Sequence, residues 1–288
     1  MNQYPTLAII GGSGLYSMPG LQDVSEHDVD TPFGKPSAPI ITGRLGKTKI
    51  AFLARHGIGH HISPTEVNYR ANIYALKSMD VQRVVSISAC GSLREDYVPG
   101  DLVIPDQLFD LTRLRKRSFF GEGLVAHIGV AEPFCPELSK QVYNAVKATG
   151  AKVHLGGSSI TIEGPRFSTK AESNVYREWG MSIIGMTTSP EAFLAREAEL
   201  CYSVMAHVTD YDVWHLEKEP VSVNAVISVL AHNTQIAQQA IGNLAQHLKP
   251  ERHCGCESAL ANAIITQSER IPPETRQKLD LLVRKYLK

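Results

Sequence analysis

The stretch TLAIIGGSGLY, residues 6–16, sets the reading of the whole chain. Its apolar run Thr6–Ile10 predicts a buried strand, and Gly11, Gly12 and Gly14 follow almost at once. Glycines directly after a strand let successive backbone N–H groups converge on an anion. A dinucleotide fingerprint needs a helix immediately after such a loop. Here Pro19, Gly20, Pro32, Gly34, Pro36 and Pro39 work against a long helix. The loop therefore suits an isolated phosphate better than a nicotinamide cofactor, with a plain tight turn as the alternative.

Outward from that loop, short apolar runs alternate with helical patterns. Strands are predicted over Pro39–Thr42, Lys49–Ala54, Arg83–Ser88, Leu102–Pro105, Lys152–Leu155, Ser182–Thr187 and Tyr202–Asp210. Ser63-Pro64-Thr65-Glu66 predicts a capping box with proline at the first helical position. Val67, Ala71, Tyr74 and Ala75 then share one helical face. Thr169 with Glu172 predicts a second capping box, and Ser189-Pro190-Glu191 opens a third helix. Further helices are expected over Glu137–Ala148, over Val221–Leu248 and from Pro273 through Val283. The alternation predicts an α/β fold, a single domain over 1–288 with a mixed, mostly parallel central sheet flanked by helices. Lys249–Ile271 reads as the boundary to a C-terminal helical appendage of that domain, over about 250–288.

Composition narrows the function classes. In 288 residues, 29 basic side chains balance 29 acidic ones without a basic tail or stripe. A protein that coats nucleic acid needs clustered Lys and Arg, so no nucleic-acid partner is expected. No run of about 18 apolar residues occurs, so no membrane span is expected. MNQYPTLAII lacks the positive n-region of a signal peptide. Five cysteines do not form a secreted disulfide framework, and the expected compartment is the cytoplasm.

Chemistry-bearing residues gather after the predicted strands. Arg55-His56-Gly57 follows one of them, and an arginine there can hold phosphate bidentately. His56, His60 and His61 invite a zinc reading, but Gly57 and Gly59 spoil a helix and no ligand set completes it; no metal is expected. Ser88-Ala89-Cys90-Gly91-Ser92 ends another strand with small residues and hydroxyls, where open α/β sheets bind ligands. Cys90 reads as a buried structural thiol rather than a nucleophile. In Thr209-Asp210-Tyr211-Asp212 the two carboxylates are spaced i, i+2 and should face one pocket, unless this is a surface turn. Neighbouring carboxylates raise one pKa, giving one proton donor beside one ionised group. Phe167 is either a hydrophobic staple or a ring that stacks on a planar base. Met186-Thr187 closes a further strand.

Taken in order, IIGGSGLY, TPFGKPS, ARHGIGHHISPTEVNYRANIYALK, SACGSLRED, VPGDLVIPDQLFDLT, AEPFCP, TIEGPRFSTKAES, IGMTTSPEAFLAREAELCY and VTDYDVW resemble the 5′-methylthioadenosine phosphorylase family of the trimeric purine nucleoside phosphorylases. The resemblance implies phosphorolysis of 5′-methylthioadenosine to adenine and 5-methylthioribose 1-phosphate, a pentosyl transfer in methionine and purine salvage. It implies that Ser13, Arg55, His56, Ser88, Ala89 and Thr187 hold phosphate. Met186 is then expected by the ribose, Phe167 by the base, and Val223 by the 5′-methylthio group, with Ser168 and Val223 tuning specificity. Asp210 and Asp212 are expected to read adenine, with Asp210 catalytic. His127 is expected to reach the pocket of a neighbouring subunit of a homotrimer, or of a hexamer built as a dimer of trimers. Inorganic phosphate is the co-substrate and no cofactor is expected. Relatives specific for oxopurines typically place Asn where Asp210 stands, which favours adenine. The alternatives are a phosphorylase of 6-oxopurine nucleosides such as methylthioinosine or inosine, a hydrolytic nucleosidase, and a non-catalytic nucleoside-binding protein. Two features depart from better-known members: Ser88 stands where some have Thr, and the tail from Lys249 matches less well. Cys254-Gly255-Cys256 resembles a Cys-x-Cys feature of archaeal thermophile relatives, where disulfides add stability; two free thiols on a turn are the other reading.

Overall fold

Leu7, Ala8, Ile9 and Ile10 are all buried, yet they face two different cores: Leu7 and Ile9 one, Ala8 and Ile10 the other. Successive side chains on a strand point to opposite faces, so an unbroken apolar run marks a strand covered on both sides. The computed structural model describes residues 5–12, 15, 18–215 and 223–287, with 223–232 by backbone alone. Ser13 and the side chain of Val223 lie outside the described residues.

Strands β1 (Leu7–Gly11), β2 (Gln22–His27), β3 (Ile40–Leu45) and β4 (Thr48–Ala54) precede helix α1 (Tyr69–Ser78). Then come β5 (Arg83–Ser92), β6 (Leu102–Ile104), β7 (Gln107–Asp110) and α2 (Pro136–Lys147). They are followed by β8 (Val153–Leu155), β9 (Ser158–Thr161), α3 (Lys170–Glu178), β10 (Ile183–Gly185) and α4 (Thr188–Glu197). The chain closes with β11 (Cys201–Asp210), α5 (Val223–His247) and α6 (Pro273–Val283).

One sheet runs β2-β3-β4-β1-β5-β10-β9-β7, with β11 paired to β5 and β6, and β6 to β8. The pairings β1–β4, β1–β5, β11–β5, β10–β9, β6–β8 and β7–β9 are parallel. The others are antiparallel, so the sheet is mixed and mostly parallel. One face packs α1, α4 and α6 through Ile73, Leu76, Leu194, Leu279 and Leu282. The other packs α2 and α5 through Leu138, Val142, Ile241 and Leu244. Strand β5 changes partner along one edge: its first half pairs β1, and Gly91 and Ser92 pair β10. No helix among the described residues is long and apolar enough to cross a membrane.

Two local expectations shift. Only half of the Ser63–Glu66 capping box forms: the Ser63 N–H donates to the Glu66 carboxylate at 3.1 Å, but the Ser63 hydroxyl donates there too, the Glu66 N–H goes to the Ser63 carbonyl, and the turn stops short of a helix. Asn68 caps α1 instead, accepting from the Ala71 N–H at 3.2 Å. Thr169 and Glu172 form the second box as expected. Ser189 is non-helical, so α4 is kinked at the Ser189-Pro190 step rather than started there.

The segment after α5 is tied down by polar contacts. Buried Arg83 donates to the carbonyls of Lys249 and Glu251, both at 2.8 Å. Buried Glu199 accepts from the Leu260 N–H and from the Tyr286 hydroxyl. Farther on, Ala126 and Ile264 form a bridge, the His127 N–H donates to the Ala263 carbonyl at 2.8 Å, and the Val125 N–H donates to Thr266 at 2.8 Å.

Candidate active site

Parallel β1, β4, β5 and β11 end on the same edge of the sheet, and that edge gathers the chemistry. The Arg55 N–H donates to the Gly11 carbonyl at 3.0 Å, which sets the residue after β4 beside the glycine loop after β1. Antiparallel β10 approaches β5 from the other direction, bringing Met186 and Thr187 toward Ser88 and Ala89. Gly91 of β5 lies opposite Asp210 of β11, at an irregularity in the register between Val208 and Asp210.

Arg55 is 2% exposed and heavily engaged. Its Nε and Nη2 donate to the two Glu191 oxygens at 2.9 and 3.0 Å, Nη2 donates to Ser86 Oγ at 2.6 Å, and Nη1 to the Ile87 carbonyl at 3.2 Å. Burial alone lowers its pKa, and the Glu191 carboxylate more than reverses that, so the guanidinium is permanently charged. Glu191 also accepts from the Tyr202 hydroxyl at 2.8 Å.

His56 is the complementary case. Burial and the adjacent Arg55 charge hold its pKa down at about 4, so it is neutral. Nδ1 lies 2.8 Å from the Ile62 carbonyl and must donate there, which leaves Nε2 as an acceptor. Its ring stacks on His60 at 4.3 Å, while His61 Nδ1 lies 3.1 Å from the Ile58 carbonyl. Ser88 and Ala89 are half-buried, and Thr187 precedes α4 with its hydroxyl uncommitted to capping.

At the other wall, burial pushes Asp210 up to about 6 against the pull of its hydrogen bonds. Its Oδ2 accepts from Thr209 at 2.6 Å and its Oδ1 from the Asp212 N–H at 2.7 Å. Asp212 is 5% exposed, with φ 52°, a left-handed conformation that aspartate tolerates better than most residues. Burial raises its pKa too, while the nearby Ser173 and Ser168 hydroxyls pull the other way. Asp212 Oδ2, Ser168 Oγ and Ser173 Oγ are nonetheless buried without a hydrogen bond of normal geometry. These three buried polar groups gather at one corner beside Asp210. Phe167, 38% exposed, precedes Ser168 at the rim. Met186 sits behind, where a Cβ on Gly164 (φ +69°) would meet its sulfur at 2.7 Å.

Supporting residues went unseen in the sequence. Buried Arg115 donates to the Met186 carbonyl at 2.7 Å, the Ser189 carbonyl at 2.6 Å and the Glu163 carbonyl at 2.7 Å. It thereby fixes both the Met186–Thr187 turn and the Glu163–Gly164 turn beneath Phe167. Glu191, Tyr202 and Glu163 complete this framework. Arg115 lies in a basic run, RLRKR, that reads as solvated surface, and only the pairing partner of Arg55 could have been sought in advance. His127 is exposed on its extended segment.

The pattern that defines the phosphorylase superfamily matches residues 6–248, and the chain belongs to that superfamily. It is 53% identical over 282 residues to S-methyl-5′-thioadenosine phosphorylase of Geobacter sulfurreducens, covering 98% of this chain and 99% of the relative. With the enzyme of that name from Koribacter versatilis it shares 51% over 280 residues, covering 97% and 96%. A crystal structure of methylthioadenosine phosphorylase from an Antarctic soil metagenomic library superposes with a TM-score of 0.93 at 44% identity, covering 98% and 99% of the two chains. Methylthioadenosine phosphorylase from Schistosoma mansoni in complex with adenine gives 0.83 at 34% identity, covering 97% and 98%. Within the superfamily, the chain is a member of the S-methyl-5′-thioadenosine phosphorylase family.

Proposed function

We propose that this chain catalyses phosphorolysis of 5′-methylthioadenosine, releasing adenine and 5-methylthioribose 1-phosphate. The observation that carries the reading is the meeting, on one sheet edge, of an anion-suited wall with a carboxylate pair. The wall comprises Arg55, His56, Ser88, Ala89 and Thr187, and the pair is Asp210 and Asp212. Breaking C1′–N9 develops positive charge on the ribose and negative charge on the purine. A phosphate oxygen forms the new bond to C1′ as the C1′–N9 electron pair moves to the base, and a proton passes from Asp210 to N7. Fixed donors aimed at developing charge are often the largest catalytic contribution. Arg55, locked by Glu191, supplies charge without having to reorganise. Neutral His56 offers Nε2 to a protonated phosphate oxygen.

Adenine is favoured because a carboxylate accepts from the N6 amino group, and a site built to bond one polar group rejects its opposite. Phosphate is the co-substrate, and the reaction draws on no metal or organic cofactor. The family resemblance assigns Ser13 to the phosphate and Val223 to the methylthio group, though Ser13 and the Val223 side chain lie outside the described residues. The enzyme works as a cytoplasmic homotrimer in which His127 of each subunit closes the neighbour's pocket, a reading supported by the exposure of His127 on a segment held from below.

The test is chromatography of 5′-methylthioadenosine incubated with the enzyme, with and without phosphate, beside a methylthioinosine tube. Adenine formed only with phosphate is the expected result. Adenine without phosphate means a hydrolase and a wrong role for Arg55. Hypoxanthine as the only base released overturns the role of Asp210.

A further inference from the structure

Four of the five cysteines converge at the end of β11 remote from Asp210. The sulfurs of Cys135, Cys201, Cys254 and Cys256 all lie within 4.8 Å of one another. They come from three separate parts of the chain: the residue that caps α2, the first residue of β11, and the two ends of the Cys254-Gly255-Cys256 turn. All are free thiols, and Cys201 and Cys254 stand 3.3 Å apart, hydrogen-bonded rather than bridged. Sulfurs about 2.3 Å from a common tetrahedral centre would lie about 3.8 Å from each other. The observed spacing closes on that value with small side-chain movements.

We infer that Cys135, Cys201, Cys254 and Cys256 form a structural zinc site that fastens the C-terminal segment to the start of β11. A soft all-sulfur tetrahedral set selects zinc over harder divalent ions. Binding releases the four thiol protons and moves no electrons, so the step needs no oxidant. The resulting centre carries two negative charges, and its surroundings answer them. Arg196 Nη1 lies 3.5 Å from the Cys256 sulfur and the Leu138 N–H donates to Cys135 at 3.5 Å. Donors of this kind orient and stabilise metal-bound thiolates. Cys135, Cys201 and Cys256 sit in the apolar core beneath α2 and α5, whereas Cys254 is part-exposed and gives an ion its way in.

The sequence concealed this arrangement. A spacing of one residue between Cys254 and Cys256 is shorter than the usual two to four of zinc motifs, and the other two ligands are far away in the chain. The site is also separate from catalysis. Cys201 and Asp210 are opposite ends of one ten-residue strand, roughly 30 Å apart at about 3.3 Å per residue. Its effect is on the segment that reaches Ala263 and Thr266, which hold the 125–127 strap.

The experiment uses the full chain, fully reduced and kept free of oxygen, titrated with cobalt(II) as a visible stand-in for zinc. Roughly one cobalt per chain should give thiolate-to-cobalt charge-transfer absorption and intense tetrahedral d–d bands, both bleached by one equivalent of zinc. The signal should fall to less than about a tenth in Cys254→Ser/Cys256→Ser and persist in Cys90→Ser, whose thiol lies outside the cluster. Zinc should also slow amide exchange over 259–265 in the wild-type chain by about tenfold or more, a readout that needs no variant to fold. Lack of charge-transfer absorption in the reduced chain, or a signal that survives the double substitution, overturns the site. Isolation of zinc-free protein with these four cysteines paired as disulfides overturns it as well. Unchanged exchange with zinc bound overturns the fastening role.

Discussion

Burial pushes Asp210 up to about 6 while both its oxygens accept hydrogen bonds, so the carboxyl titrates close to neutrality. If its proton goes to purine N7, kcat/KM for 5′-methylthioadenosine should fall as pH rises through about 6. Asp210→Asn should erase that inflection, lower the rate about 10²–10⁴-fold, and improve the relative rate on methylthioinosine. Initial rates on both nucleosides from pH 5 to 8 check this, and unchanged selectivity removes Asp210 from base recognition. Arg55 calls for a gentler change. Its removal leaves Glu191, which is fully buried, without its counter-charge, at a cost of about 3–5 kcal/mol. Arg55→Ala should therefore shift chemical denaturation strongly, masking any kinetic effect. Arg55→Lys keeps a charge but loses the fork, so it should raise the KM for phosphate far more than that for nucleoside. Equal increases in both constants would contradict the phosphate role.

Helix α4 carries a carboxyl with consequences for stability rather than chemistry. Burial raises Glu197 from 4.5 to about 7, although Ser118 Oγ and the Phe119 N–H both donate to it at 2.7 Å. The folded pKa exceeds the unfolded one, so the stabilisation is complete below about 4.5 and is lost as pH rises through about 7. Glu197→Gln mimics the protonated form, and its denaturation curve should be about 3 kcal/mol more stable than wild type at pH 8, with little difference at pH 4.5. Strand β5 offers a second probe. A Cβ at Gly91 would stand 3.0 Å from Asp210 Oδ1 and from Ile184 Cγ2. Gly91→Ala should displace the carboxylate and lower kcat by about 10²-fold while the fold persists by circular dichroism. The long apolar strands were legible because burial on both faces leaves an unbroken hydrophobic run. β2 was not, because it is an exposed edge strand of mostly polar residues that takes its shape from pairing with β3. Short β7 and β9 likewise exist through each other and through β10. The Ser63–Glu66 signal misled because such contacts are local, and here they close a turn ahead of the helix that Asn68 begins.

Across the whole molecule, strand-end clusters were readable, since an α/β sheet displays its chemistry at one edge. The framework behind them was not, because Arg115 meets Glu163, Met186 and Ser189 only through tertiary folding. Association of subunits can be tested by complementation. If each pocket borrows His127 from a neighbour around a three-fold axis, His127→Ala and Asp210→Asn chains co-assembled at equal amounts should regain about a quarter of the intact sites. Activity no greater than the sum of the separate variants would show that each subunit is self-sufficient. The strap over residues 125–127 has a further consequence, one of timing. Its bonds come from Ala263 and Thr266, made long after the strands that form the sheet, and domains fold progressively as synthesis proceeds. The sheet can therefore take shape on a growing chain while the strap waits for residues 263–266 to arrive. In the proposed trimer, a nascent chain that lacks residues 263–266 cannot yet offer its neighbours a finished strap, so subunit pairing through His127 would wait for them.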